Sequence, residues 1–244
     1  VIDYNAEADS YDASRGGEAR AAAAAQAIER LLPVGMRTLV DVACGTGIVT
    51  RRLCRPGRVV LGLDRSPGMA TMAVSRLPRS LALADATRLP VGTARTDAVT
   101  MIWLLHLLPD AAPVLAEAAR ALRGGGALVT TVDKDEAAFH VDSDIAGVTA
   151  EVRSKHAPAA ADQFDQVVSL AAEHGMRPVG EVTFVGVGQG RSPRQWSERI
   201  AAGSFPWSRQ AAPAELGEIC RNLAALPAQD VPRPDPVYRL IALA

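Results

Sequence analysis

The chain of 244 residues is long enough for one large α/β domain or two small ones, and 48% hydrophobic against 22% charged residues is a soluble, globular composition. A formal net charge of −1 supplies no basic footprint for nucleic acid. No apolar run approaches the ~18 residues needed to span a membrane, the N-terminus is acidic rather than signal-like, and Cys44, Cys54 and Cys220 lack metal-ligand spacing. These features lead us to expect a cytoplasmic monomer or homodimer, with no metal and no membrane or nucleic-acid partner.

In chain order, Tyr11-Asp12-Ala13-Ser14-Arg15 leads into an alanine-rich helix over about 17–32. From Leu39 to Thr50 an apolar strand carrying Asp41 breaks at Gly45 and Gly47 into a tight turn. A helix over 48–54 follows, its N-terminal amides facing a ligand. Three ligands compete for such a turn. A phosphate-cradling loop needs Lys-Ser or Lys-Thr after its last glycine, where Ile48 and Val49 stand. A dinucleotide fingerprint needs a third glycine at the position of Thr50, and its pyrophosphate would meet Asp41 as a like charge. S-adenosylmethionine (SAM) carries a sulfonium and an α-amino group that an acid favours. The stretch Asp-Val-Ala-Cys-Gly-Thr-Gly, residues 41–47, resembles the first motif of class I SAM-dependent methyltransferases. Cys44 within it reads as a small apolar filler.

A second apolar run, 58–63, ends in Asp64, roughly seventeen positions past Gly47 and near the ~20 expected of a ribose-binding acid. Asp64-Arg65-Ser66-Pro67-Gly68-Met69 looks like the second motif of the same family, opening a helix over 67–77 that Ser66 caps. A third run, 80–84, ends in Asp85-Ala86. Further strands are expected at 97–103, 126–132, 181–187 and 237–243, and helices at 111–122 and 160–174. Alternating strand and helix specifies a doubly wound parallel α/β sheet. The resemblance implies a three-layer, seven-stranded, mostly parallel Rossmann-like methyltransferase sheet whose last strand is antiparallel. The family's usual Lys-Pro-Gly-Gly turn reads Arg123-Gly124-Gly125-Gly126 here.

For the site, the resemblance implies SAM as cofactor, with Asp41, Ala43, Gly45 and Gly47 at its methionyl end. Asp64 and Arg65 would stand at the ribose, and Met69, Asp85 and Ala86 at adenine. Trp103, after the fourth strand, would face the cofactor. Tyr11 would cover cofactor or substrate, and Arg15 would pair with the methionyl carboxylate. The group that the chain most resembles is that of the ubiquinone and menaquinone C-methyltransferases, which also holds many natural-product enzymes.

Methyl transfer from a sulfonium needs alignment, water exclusion and at most one base. His106, just after the fourth strand, is the candidate base, and His140 a second acceptor-side histidine; His156 and His174 read as solvated. The sequence is read as one methyltransferase domain, 1–244, with an N-terminal helical lid (1–32) and substrate-side helical insertions at 134–160 and 189–236. With aromatics only 4% of the chain, Trp196, Phe205 and Trp207 in one insertion suggest an acceptor wall. Arg191, Arg194, Arg199 and Arg209 could meet an acidic substrate, although exposed helical arginines are commoner, so they stay outside the expected site.

The expected activity is methyl transfer to an O, N or C atom of a small molecule, with biosynthesis of a natural product as setting. A SAM-using cyclase on the same fold is the alternative. An NAD-dependent oxidoreductase is disfavoured by Thr50 and Asp41. A non-catalytic subunit should have lost the glycines or the ribose acid, and a DNA methylase should show an Asp/Asn-Pro-Pro-aromatic turn where Trp103-Leu104-Leu105-His106 stands.

Overall fold

The computed structural model describes residues 3–156 and 160–244; residues 1–2 and 157–159, parts of the expected 1–32 and 134–160 segments, lie outside them. Two helices come first, α1 (Tyr4–Ser14) and α2 (Gly17–Leu31). There follow β1 (Thr38–Val42), α3 (Thr50–Leu53), β2 (Val59–Asp64), α4 (Pro67–Val74), β3 (Leu81–Leu83) and β4 (Thr96–Met101). The chain continues through α5 (Ala112–Ala121), β5 (Leu122–Val132), α6 (Asp144–His156), α7 (Phe164–Ala172) and β6 (Pro178–Val185). It ends with α8 (Pro193–Ala201), α9 (Pro206–Gln210), α10 (Pro213–Ala224) and β7 (Val237–Leu243).

The seven strands form one sheet in the order β3-β2-β1-β4-β5-β7-β6. The first five run parallel, and β7 is antiparallel to both β5 and β6. This is the Rossmann-like methyltransferase sheet that the sequence led us to expect. Every residue of β4 is buried, as befits a strand covered on both faces. One core layer joins the sheet to α5 and α7 through Leu115, Leu128 and Val167. The other joins it to α2 through Ala24, Ile28 and Leu240. Ala21, Ala24, Ala25 and Ala27 of α2 are buried, and small side chains let its backbone lie close against the strands.

Three stretches depart from the sequence reading. Tyr11–Arg15 was expected ahead of the first helix, yet Tyr11 to Ser14 form the last turn of α1. Asp3 caps that helix, and tertiary bonds hold it: Asn5 Oδ1 accepts from Ser66 Oγ (2.8 Å) and the Gly68 amide (2.9 Å). Second, the expected glycine turn at 123–126 is drawn into β5. A Cβ on Gly126 would stand 2.8 Å from the Asp97 carbonyl, so the missing side chain is what allows β4 and β5 to meet there. Third, β4 stops at Met101, leaving Ile102 and Trp103 in the turn beyond it.

Helices α6, α8, α9 and α10 form a helical cap with a core of its own, built on Ile145, Trp196, Ile200, Trp207, Ile219 and Leu223. Trp196, Phe205 and Trp207 stack in series, with ring centres 5.0 and 5.7 Å apart. Arg233 pairs with Asp144 (2.8 Å), and Glu215 meets His156 Nε2 (2.8 Å), so His156 is tied between α6 and α10 rather than solvated.

Candidate active site

The parallel strands end on one side of the sheet, where ligands of open α/β folds bind. Three of them turn through left-handed residues that are not glycine: Ala43 (φ 57°) after β1, Trp103 (φ 57°) after β4 and Asp133 (φ 50°) after β5. Such backbone is strained, and three of the six residues of this kind among those described stand at this rim. Gly45 and Gly47 also have positive φ, and a Cβ on Gly47 would press on Leu77 Cδ1 at 3.0 Å.

Carboxylates organise this rim. Asp64 accepts from the Gly45 amide and from the Ser66 amide, each at 2.8 Å, and so ties the glycine turn to the end of β2. Each of its oxygens keeps further acceptor capacity for a ligand hydroxyl. Asp85 accepts from the amide (2.8 Å) and hydroxyl (2.7 Å) of Thr87, bonds that hold its carboxyl below the usual range. Asp41 differs from both. It is 3% exposed, its carboxyl's only hydrogen-bond partners among the described residues are the Thr50 and Thr100 hydroxyls, and burial pushes its pKa up to about 6. A carboxylate in that setting favours a cation beside it.

These groups border a cavity of about 580 Å³. Asp41, Ala43 and Gly45 form its floor, with Asp64, Arg65 and Met69 on one flank and Asp85 and Ala86 beyond them. Trp103 and Leu104 line it as well. The roof is α1, through Tyr4, Asn5 and Tyr11, and Arg20 of α2 reaches in beside it. Helix α1 is latched to the glycine turn by Asp12, which accepts from Thr46 Oγ1 (2.6 Å) and pairs with Arg76 (2.8 Å).

Ten residues singled out from the sequence thus stand on one cavity wall: Tyr11, Asp41, Ala43, Gly45, Asp64, Arg65, Met69, Asp85, Ala86 and Trp103. Gly47 shapes the turn without bordering the cavity. Arg15 is also off the wall; it pairs with Glu7 (3.3 Å) and lies 5.5 Å from the Tyr11 ring centre.

The acceptor-side expectations need correction. His140 is exposed on the loop after β5 and away from the cavity. Trp196 and Trp207, each 4% exposed, are core residues of the cap, because four helices there have no other apolar centre to pack around. His106 lies in a 3₁₀ turn, Leu105–Leu107, off the cavity wall. Burial, helped by nearby Lys134, pushes its pKa down to about 3, and among the described residues its buried Nδ1 has no hydrogen-bond partner. A general base works best with a pKa near the working pH, so this imidazole is poorly suited to the task. In isotope-labelled protein, NMR is expected to show His106 neutral from pH 8 down to pH 5. A titration midpoint near 6.5 would restore it as a base.

Sequence reasoning missed Tyr4, Asn5 and Arg20. Arg20 is 7% exposed, with its guanidinium 3.9 Å from the Trp103 ring centre. A signal was available, since Arg20 shares a helical face with the buried Ala24 and Ala27 at spacings of four and seven. Among the described residues, no group of three or more His, Cys, Asp or Glu could hold a metal ion, and no helix is long and apolar enough to cross a membrane.

A seven-stranded sheet with β7 reversed, a glycine turn after β1 and acids at successive strand ends defines a SAM-binding α/β domain. Residues 40–130 match the family model described as "Methyltransferase domain". That match, and relatives named as methyltransferases, identify a class I SAM-dependent methyltransferase domain over this part of the chain, a family that implies SAM as cofactor. It is 36% identical over 104 residues to an uncharacterized methyltransferase of Mycobacterium bovis, a match covering 42% of each chain. It is 37% identical over 101 residues to a demethylmenaquinone methyltransferase of Corynebacterium kroppenstedtii, covering 41% of this chain and 43% of that one. The aligned part thus spans about two fifths of these relatives. Among solved structures, the chain complexed with the Trm112 methyltransferase activator of Haloferax volcanii superposes with a TM-score of 0.61 at 20% identity, covering 100% of this chain and 99% of that one. That likeness concerns the fold.

Proposed function

We propose that this protein transfers a methyl group from SAM to an O, N or C atom of a small-molecule acceptor in a biosynthetic reaction. The observation that carries the reading is Asp41, a buried acid on the cavity wall whose carboxyl meets only hydroxyls among the described residues. It sits where a cationic methionyl end would meet it. SAM supplies a methyl carbon already activated by its sulfonium, so the protein's work is to bind, orient and exclude water.

In this reading Asp64 accepts the ribose hydroxyls, while Met69 packs on adenine and Asp85 with Ala86 stands at its amine. Arg20, rather than Arg15, receives the methionyl carboxylate, because Arg20 reaches the cavity and Arg15 does not. Trp103 orients that guanidinium. Tyr4 and Tyr11 cover the site and exclude solvent. With His106 neutral and off the wall, proximity rather than strong base catalysis is the main contribution of the chain.

Calorimetric titration tests the reading. SAM and S-adenosylhomocysteine are expected to bind in the micromolar range and NADH not at all. Asp64→Ala is expected to weaken SAM by about 1–3 kcal/mol, roughly fivefold to 150-fold, through loss of charge-assisted hydrogen bonds. Unchanged affinity would remove Asp64 from the site, and failure of the folded protein to bind either nucleoside would sink the reading.

A further inference from the structure

We propose that the acceptor carries an oxyanion, a carboxylate or a phosphate, received by Arg15, Arg191 and Arg199 between α1 and the cap. The proposal rests on the methyltransferase reading and names the acceptor class for that site.

Four arginines of the last insertion were candidates for an acidic substrate, and the structure divides them. Arg194 is exposed and paired with Asp230 (2.7 Å), and Arg209 is exposed and bonded to the Gly203 carbonyl (3.1 Å). Arg191 and Arg199 are half-buried, and neither has an ion-pair partner among the described residues. The Nε of Arg199 is shielded from solvent and has no hydrogen-bond partner among them. Both guanidiniums rest on one aromatic pair, Arg191 5.8 Å from the Trp196 ring centre and Arg199 5.7 Å from that of Phe205.

Arg15 arrives from the other side. The turn between α1 and α2 sits against the strand of chain entering the cap, so closely that a Cβ on Gly16 would lie 2.5 Å from the Val187 carbonyl. The three guanidiniums are near enough to act on one another through their charges. Burial, then Arg199 and Arg15, lower the proton affinity of Arg191; burial and then Arg15 do the same for Arg199. Glu7 offsets the charge of Arg15, but Arg191 and Arg199 have no anion beside them among the described residues; half-buried like charges repel unless one enters, and the guanidinium fork matches carboxylate and phosphate oxygens. The cluster adjoins the cavity, because Arg15 lies over Tyr11 and Tyr11 is part of the wall. An oxyanion held there would leave the rest of the acceptor reaching past Tyr11 toward the cofactor.

Protein saturated with S-adenosylhomocysteine, whose own carboxylate is then already bound, is titrated with pyrophosphate, inorganic phosphate, malonate and neutral malonamide. Saturable binding of an anion but not of malonamide is expected, and the preference between pyrophosphate and malonate assigns the oxyanion. Arg191→Gln and Arg199→Gln are each expected to weaken that anion by about tenfold or more, with the affinity for S-adenosylhomocysteine changed less than about twofold. No anion binding to nucleoside-loaded protein, or undiminished binding by both variants, overturns the proposal. If the glutamine variants do not fold, Arg191→Lys and Arg199→Lys serve instead. They keep the charge but lose the fork, and unchanged anion affinity in both would equally overturn it. Loss of nucleoside binding itself, in the unaltered protein, is a failure of the methyltransferase reading and is seen separately.

Discussion

Asp41→Asn is expected to give an apoprotein that is more stable above pH 6 and has lost most of its affinity for SAM. Both effects come from one buried charge. The unfolded chain releases the Asp41 proton near 3.8, whereas the folded chain holds it to about 6. Below the lower value both states are protonated and the residue makes no difference. Between the two, stability falls as pH rises, and above about 6 the fold carries the full penalty, about 3 kcal/mol. Asparagine has no charge to bury and can still bond the Thr50 and Thr100 hydroxyls, since a hydroxyl both donates and accepts.

Denaturant titrations of the apoprotein at pH 5 and pH 7.5 measure this. The gap between the two proteins should open at the higher pH. For the ligand the sign reverses, because a cation favours the ionised acid. SAM affinity of the unaltered protein should rise with pH through about 6, with proton release on binding, and should be flat in the variant. The expected loss at pH 7.5 is about tenfold to hundredfold. An Asp41→Asn protein that binds SAM normally would mean that the buried acid answers to something other than the cofactor.

The second large effect belongs to Trp207. Trp207→Ala is expected to destabilise the cap by about 3–5 kcal/mol, the range for truncating a fully buried indole. Trp207→Phe should recover part of it, because a ring can still stack on Phe205. Hydrogen exchange resolved by segment should show α8, α9 and α10 exchanging faster, with β1 to β4 and S-adenosylhomocysteine binding unchanged. If the cap kept its protection and only the acceptor KM moved, Trp207 would be a wall residue after all.

The cofactor side was legible in the sequence because its signals are local. Gly45 and Gly47 are needed for a backbone that other residues resist, and Asp41 stands near the end of one apolar run while Asp64 and Asp85 follow two others, so spacing alone brings them to one rim. The acceptor side depends on packing between distant segments. Nothing in the composition of Tyr4–Ser14 demands a helix over the cavity; Ser66, Gly68, Thr46 and Arg76 hold it there. Trp196 and Trp207 looked like a ligand wall because aromatics are scarce in this chain. Only the meeting of α6, α8, α9 and α10 turns them into a core. His106 has the right position along the chain for a base, and its burial, which spacing cannot reveal, removes its basicity. Arg199 differs from Arg194 and Arg209 only in which way its helix turns it, and Arg191 is placed by the loop that enters α8.

The pairing of Val185 with Val237 has a bearing on how this protein could be altered. The segment carrying α8, α9 and α10 leaves the sheet at the end of β6 and re-enters at the start of β7, beside its point of departure. Closing a loop whose ends already meet grows only slowly in entropic penalty as the loop lengthens. The hairpin is therefore a socket. A different helical module could be grafted between these two valines, changing what is recognised while the nucleoside-binding half keeps its sequence and its chemistry.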